Sequence, residues 1–132
     1  MAKLRCKCGH TIADQEVNIP YKGYILPDKL LFDTSDKLTS IIDELVEAIK
    51  LDRRDEWVEK NFQVPPYPMD LRESSMIYDL FSDYLGSVEQ EIYECENCGR
   101  IALQVGQSQY FKFFSPDNPD TKGLLDPENN KA

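Results

Sequence analysis

Two short stretches decide how this chain is read: Cys6-Lys7-Cys8-Gly9-His10 near one end, and Cys95-Glu96-Asn97-Cys98-Gly99-Arg100 far along the sequence. Each carries a cysteine pair with a glycine directly after the second cysteine. A chain that presents two thiolates to one ion must turn tightly, so that backbone amides point at the sulfurs. Glycine takes the positive φ that such a turn requires. Together the two stretches supply four thiolates, enough to close a tetrahedral site with sulfur about 2.3 Å from zinc. The second pair has the common two-residue spacing and the first has only one residue between its cysteines. Eighty-six residues separate Cys8 from Cys95.

Outward from the pairs, the sequence alternates as strands do. Lys3-Leu4-Arg5-Cys6 and His10-Thr11-Ile12-Ala13 flank the first pair as the two arms of a small hairpin. Ile92-Tyr93-Glu94 leads into the second pair, Ile101 to Val105 leads out, and Gln109 to Phe114 is aromatic and strand-like. Residues 18–32 hold Pro20, Gly23 and Pro27 among many apolar residues, which predicts a packed loop and no long helix. Asp33, Thr34 or Ser35 can cap a helix. Behind them Leu38, Ile41, Ile42, Leu45, Val46 and Ile49 recur at spacings of three and four, an apolar stripe about four turns long. That helix continues, or breaks and restarts, through Trp57 to Phe62, and Pro65, Pro66 and Pro68 end it. Met76, Ile77, Leu80, Phe81, Tyr84 and Leu85 predict a further amphipathic helix with Gly86 as its stop. Residues 115–132 read as an irregular tail in which Leu124 and Leu125 dock locally. Tyr67, between two prolines, is either part of a packed turn or an exposed anchor for a partner.

The 132 residues carry 24 acids and 15 bases, a net charge of −9. The acidity is concentrated: residues 33–94 hold sixteen acids and six bases, whereas 1–32 and 95–132 are close to neutral. Acidity of this kind repels phosphate backbones, so nucleic acid is an unfavoured partner and a basic protein a favoured one. No secretory signal and no run of about 20 apolar residues is visible, so no membrane is expected and the cytoplasm is the expected compartment. Thiols stay reduced there, which favours metal over disulfides. Catalytic chemistry has little to work with. His10 is the single histidine, Ser74 and Ser75 lack a nucleophile-elbow context, and no glycine-rich phosphate loop occurs. The pairs Glu44 and Glu47, and Asp79 and Asp83, read as solvated helix faces. The chain is expected not to be an enzyme.

The two glycine-backed cysteine pairs make the sequence similar to a split zinc ribbon over roughly residues 3–13 and 91–105, with a helical insertion between the halves. The resemblance implies that Cys6, Cys8, Cys95 and Cys98 hold one structural Zn2+, and four thiolates leave no position open for water. His10 reads as a neighbour of the site or a surface residue, with replacement of one thiolate as the alternative. Iron in a rubredoxin-like site is the rival occupant. The implied fold is α+β: one domain over 1–132, with a small antiparallel sheet from both chain ends (3–13 and 88–114), a two- to three-helix insertion (33–86) and the tail (115–132). Small bacterial zinc-ribbon proteins of unassigned role are similar. In size and charge the chain also resembles the immunity proteins that block basic nuclease toxins.

Two functions follow as expectations. One is a non-enzymatic, zinc-stabilised protein-interaction module, an immunity or inhibitor protein for a basic nuclease-type toxin. The alternative is a nucleic-acid-binding or transcription-associated zinc ribbon, for which Lys3, Arg5, Lys7, His10 and Arg100 around the cysteines are the basic residues available.

Overall fold

Each cysteine pair is flanked by strands, and the computed structural model, which describes residues 2–62 and 67–130, assembles them into two antiparallel sheets. β1 (Ala2–Arg5) pairs with β2 (Thr11–Asp14), Arg5 lying opposite Thr11. β3 (Lys22–Ile25), β4 (Gln90–Glu94), β5 (Ile101–Gln104) and β6 (Phe111–Phe114) form a second sheet in chain order. Three helices stand between β3 and β4: α1 (Asp28–Lys50), α2 (Arg54–Asn61) and α3 (Glu73–Val88). The fold is α+β, as the pattern of the sequence implies.

The chain divides into two compact units, residues 1–26 with 89–132, and residues 27–88. The helical unit is an insertion in the β3–β4 connection. Ile25 pairs with Gln90, so the chain leaves the sheet and returns to it through neighbouring strands.

The sequence expectations are corrected at the sheets, at the start of α1 and at Gly86. The ends form two sheets, not one, because β3 comes from the segment read as a loop. Pro20 and Pro27 bracket it, and a short edge strand tolerates them there. Helix α1 begins at Asp28, not at 33–35. Pro27 stands just before the helix, where its fixed φ of −59° is compatible with a helix start, and Asp28 complements the dipole of the first turn. Leu30, Leu31 and Phe32 therefore belong to the helix and are exposed. The first helix stops at a Schellman-type end: Asp52 takes φ +58°, Arg53 N–H donates to Ala48 O at 2.7 Å and Asp52 N–H to Ile49 O at 3.2 Å. Gly86 does not stop α3, which runs on to Val88, and Ser87 Oγ donates to the Tyr84 carbonyl in that last turn. Of the prolines expected to end the second helix, Pro65 and Pro66 lie outside the described residues.

In the helical unit the core is Leu45, Trp57, Val58, Met76 and Leu80. Arg54 ties α2 to the segment before α3. Its guanidinium donates to Glu73 Oε1 at 3.0 Å, to Met69 O at 2.6 Å and to Leu71 O. Tyr67 lies in a packed turn, half-buried and stacked on Phe62 at 3.8 Å, with its hydroxyl donating to Asp79 at 2.8 Å.

In the sheet unit, Ile12, Tyr93 and Ala102 are buried together with Cys6 and Cys95. Tyr21 Oη donates to Ala13 O at 2.5 Å, joining β2 to the segment that leads into β3. Asp14 lies 2.5 Å from Lys22 Nζ and 2.6 Å from Tyr93 Oη. Burial would raise the Asp14 carboxyl, but the Lys22 ammonium and the Tyr93 hydroxyl outweigh it and hold it below 3.8. Burial would lower Lys22, but the bond to Asp14 outweighs it and holds the ammonium above 10.5.

Met76, with no exposed surface, should cost about 2–5 kcal/mol of stability when replaced by alanine, measured by urea unfolding. The stability that Asp14 supplies is present above 3.8 and lost as pH falls through its lowered folded value. That from Lys22 is present below 10.5 and lost as pH rises through its raised one. Lys22→Met should therefore flatten the acid limb of the wild-type stability profile.

Candidate metal centre

The first cysteine pair caps the β1–β2 hairpin. Cys6 N–H donates to His10 O at 2.9 Å and Gly9 N–H donates back to Cys6 O at 2.9 Å. The second caps the β4–β5 hairpin in the same way: Cys95 N–H donates to Arg100 O at 2.8 Å and Gly99 N–H to Cys95 O at 2.8 Å. The one-residue and two-residue gaps are thus the same closure with one residue more or less in the loop. In both, the first cysteine continues the strand into the core and the second sits on the turn. Cys6 and Cys95 are buried, Cys98 half-buried and Cys8 exposed.

Gly9 has φ +98° and Gly99 has φ +77°, the conformation foreseen for the turn glycines. The two differ in their surroundings. A Cβ on Gly9 would meet nothing, whereas one on Gly99 would fall on the Thr121 carbonyl oxygen well inside van der Waals contact.

The two hairpin tips bring all four sulfurs together, within 4.8 Å of one another. Cys6 Sγ lies 3.6 Å from Cys98 Sγ, and Cys8 Sγ 3.6 Å from Cys95 Sγ. A disulfide would place sulfurs about 2.05 Å apart. A tetrahedron with arms of about 2.3 Å has edges of about 3.8 Å. The sulfurs therefore stand at the spacing of ligands around a common centre, and each close pair takes one sulfur from each hairpin. The donor set is all thiolate, which suits a soft or borderline divalent ion.

The surroundings favour charged sulfur on the turn. Hydrogen bonds from the Asn97 amide, at 3.5 Å, and from the His10 backbone pull Cys8 down to about 6. Burial would raise Cys98, but the Arg100 backbone and guanidinium, the latter at 3.4 Å, outweigh it and lower the thiol. Burial raises Cys6 and pushes Cys95 up to about 12. A bound cation would favour the thiolate at each of these positions, including the two that burial alone keeps protonated.

His10 is not one of the clustered donors. Its Nε2 faces Glu96 Oε1 at 3.8 Å. The roles of Asn97 and Arg100 as donors to the sulfurs were not legible beforehand: only the folded turns show which way their side chains point. Their positions, Asn97 within the second pair and Arg100 just past its glycine, are the one available signal.

A tight four-cysteine cluster on two hairpin tips defines a small α+β protein with a site able to hold a metal ion. The chain belongs to the family described as a domain of unknown function (DUF8617), whose match spans residues 2–118. No curated protein and no solved structure matches it.

Gly9→Ala should cost about 1–2 kcal/mol from its backbone conformation alone. Gly99→Ala should cost clearly more, because the methyl group also displaces the Thr121 carbonyl; chemical denaturation of the metal-loaded protein compares the two. Metal affinity should rise as pH climbs above about 6, where even the most acidic of the four thiols titrates, with competition against a chromogenic chelator as the measurement.

Proposed function

We propose that this chain is a non-enzymatic, zinc-stabilised interaction module whose acidic helical unit receives a basic protein partner, of the kind an immunity protein meets in a nuclease-type toxin. The zinc is structural in this reading. Cys6, Cys8, Cys95 and Cys98 fill a tetrahedral site, and two of them are buried in the core of the sheet unit, where an ion serves as a cross-link between hairpins and offers no open position. Zinc is preferred to iron because the knuckle turns are short.

The observation that carries the partner reading is the division of charge. Residues 27–88, which form the helical unit, hold fourteen acids and seven bases, a net charge of −7. The sheet unit holds the other ten acids and eight bases, net −2. Asp36, Asp43 and Glu47 stand exposed along α1. Complementary charge of this density speeds encounter with a basic surface and selects against acidic partners.

Lys3 and Arg5 are exposed at alternate positions of β1, with Lys7 following on the turn, and this favours the second reading, nucleic-acid binding by the sheet unit. Arg100, the other base beside the site, is engaged with Cys98. No helix among the described residues is long and apolar enough to cross a membrane.

Affinity capture from the source organism, followed by binding of the purified partner, tests the proposal. A basic protein should be recovered, and the double reversal Asp43→Lys with Glu47→Lys should weaken it by at least about tenfold, which corresponds to 1.4 kcal/mol. A partner indifferent to the reversal and to added salt would overturn the acidic-surface mechanism. Binding of duplex DNA or RNA that falls steeply with salt would establish the second reading instead. Elemental analysis should find one zinc per chain.

A further inference from the structure

Among the described residues of the tail after β6, 115–130, there is no regular secondary structure, yet this segment is anchored to the second cysteine hairpin on both sides of its ligands. Glu94, directly before Cys95, is 2 % exposed. Its two carboxyl oxygens accept the backbone N–H groups of Leu124 at 3.1 Å and Leu125 at 3.4 Å. Gly99, directly after Cys98, leaves just enough room for the Thr121 carbonyl to lie against it. Leu125 reaches the space beside Gly23 in β3. The tail is folded on itself by Asn130, whose Nδ2 donates to the carbonyls of Gly123, Leu124 and Asp126 at 2.8, 3.1 and 2.9 Å.

A carboxyl removed from water in this way is costly unless hydrogen-bonded, and the tail amides are the donors the structure provides to its oxygens. Undocking the tail therefore strips the carboxyl next to one ligand of its two amide donors, lets water in beside it, and uncovers the turn at another. In the other direction, a knuckle that relaxes moves both anchors at once, because Glu94 and Gly99 are joined by peptide bonds to Cys95 and Cys98.

We propose that residues 119–130 form a strap whose docking is energetically coupled to the metal centre through Glu94 and Gly99, so that loss of the ion releases the strap and release of the strap weakens the ion. This rests on the reading of the four cysteines as a metal site. The whole strap lies beyond residue 118, where the family match ends. Linkage makes the effect reciprocal: the factor by which zinc strengthens docking is the factor by which docking strengthens zinc, about 5- to 150-fold for couplings of ordinary size.

The test uses the full chain. Hydrogen exchange of residues 119–130 is measured with one equivalent of Zn2+ and after removal by a chelator, with β5 as the internal reference. Zn2+ affinity is measured by chelator competition for the wild type, Glu94→Ala and Asn130→Ala. The hydrogen bonds of Asn130 run to carbonyls within the strap, so its variant leaves the backbone pairing of the hairpin in place. Exchange of the strap should accelerate at least tenfold on metal removal, and more than that of residues 101–104. Both variants should weaken zinc by about fivefold or more. Unchanged strap exchange overturns the coupling. So does an Asn130→Ala protein that binds zinc as the wild type does, even if Glu94→Ala is weakened, because the effect of Glu94 would then be local to the hairpin. A wild-type chain that binds no zinc sinks the metal reading along with the coupling, whereas intact zinc binding with an indifferent tail sinks the coupling alone.

Discussion

Convergence of two hairpin tips on one point is the constraint on which the sheet unit depends. Each tip presents one sulfur from the end of a strand and one from the turn, and sulfurs of the two hairpins approach to 3.6 Å. Cys6 and Cys95 are therefore both ligand candidates and core residues, packed with Ile12, Tyr93 and Ala102. Tyr21 and Asp14 reinforce the same junction, the first by its bond to Ala13 and the second by its bonds to Lys22 and Tyr93. An ion held by these four sulfurs would close a loop of more than eighty residues, and long loops gain most from closure.

The helical unit follows a different logic. Its core is aliphatic and aromatic, and specific polar contacts frame it: the Arg54 fork and the Tyr67–Asp79 bond, with the i→i+4 pair Asp33–Lys37 on the surface. It is inserted where β3 and β4 are hydrogen-bonded neighbours, so entry and exit are close together and its length places little demand on the sheet.

The periodic segments were legible in advance because their signals are local. Apolar residues three and four apart mark α1 and α3, and alternation marks β1, β2, β4 and β5. The errors fell at boundaries and at the edge strand. Pro27 has the signature of a breaker but opens a helix, Gly86 that of a stop although its backbone stays helical, and Lys22–Ile25 that of a loop because a four-residue strand between prolines carries too little pattern. Tyr67 could not be decided from its flanking prolines, since its stacking partner Phe62 is a tertiary neighbour.

By itself the sequence determined the four candidate ligands, the glycine after each pair, the concentration of acid between them and the α+β class. These depend on residue type and short spacing, which the chain displays directly. Only the tertiary structure decided that Cys6 meets Cys98 and Cys8 meets Cys95, that Asn97 and Arg100 turn toward the sulfurs, and that the tail closes over Glu94 and Gly99. Those relations join residues up to 92 positions apart. No periodicity encodes them, because they are set by where the hairpins come to rest against a shared core.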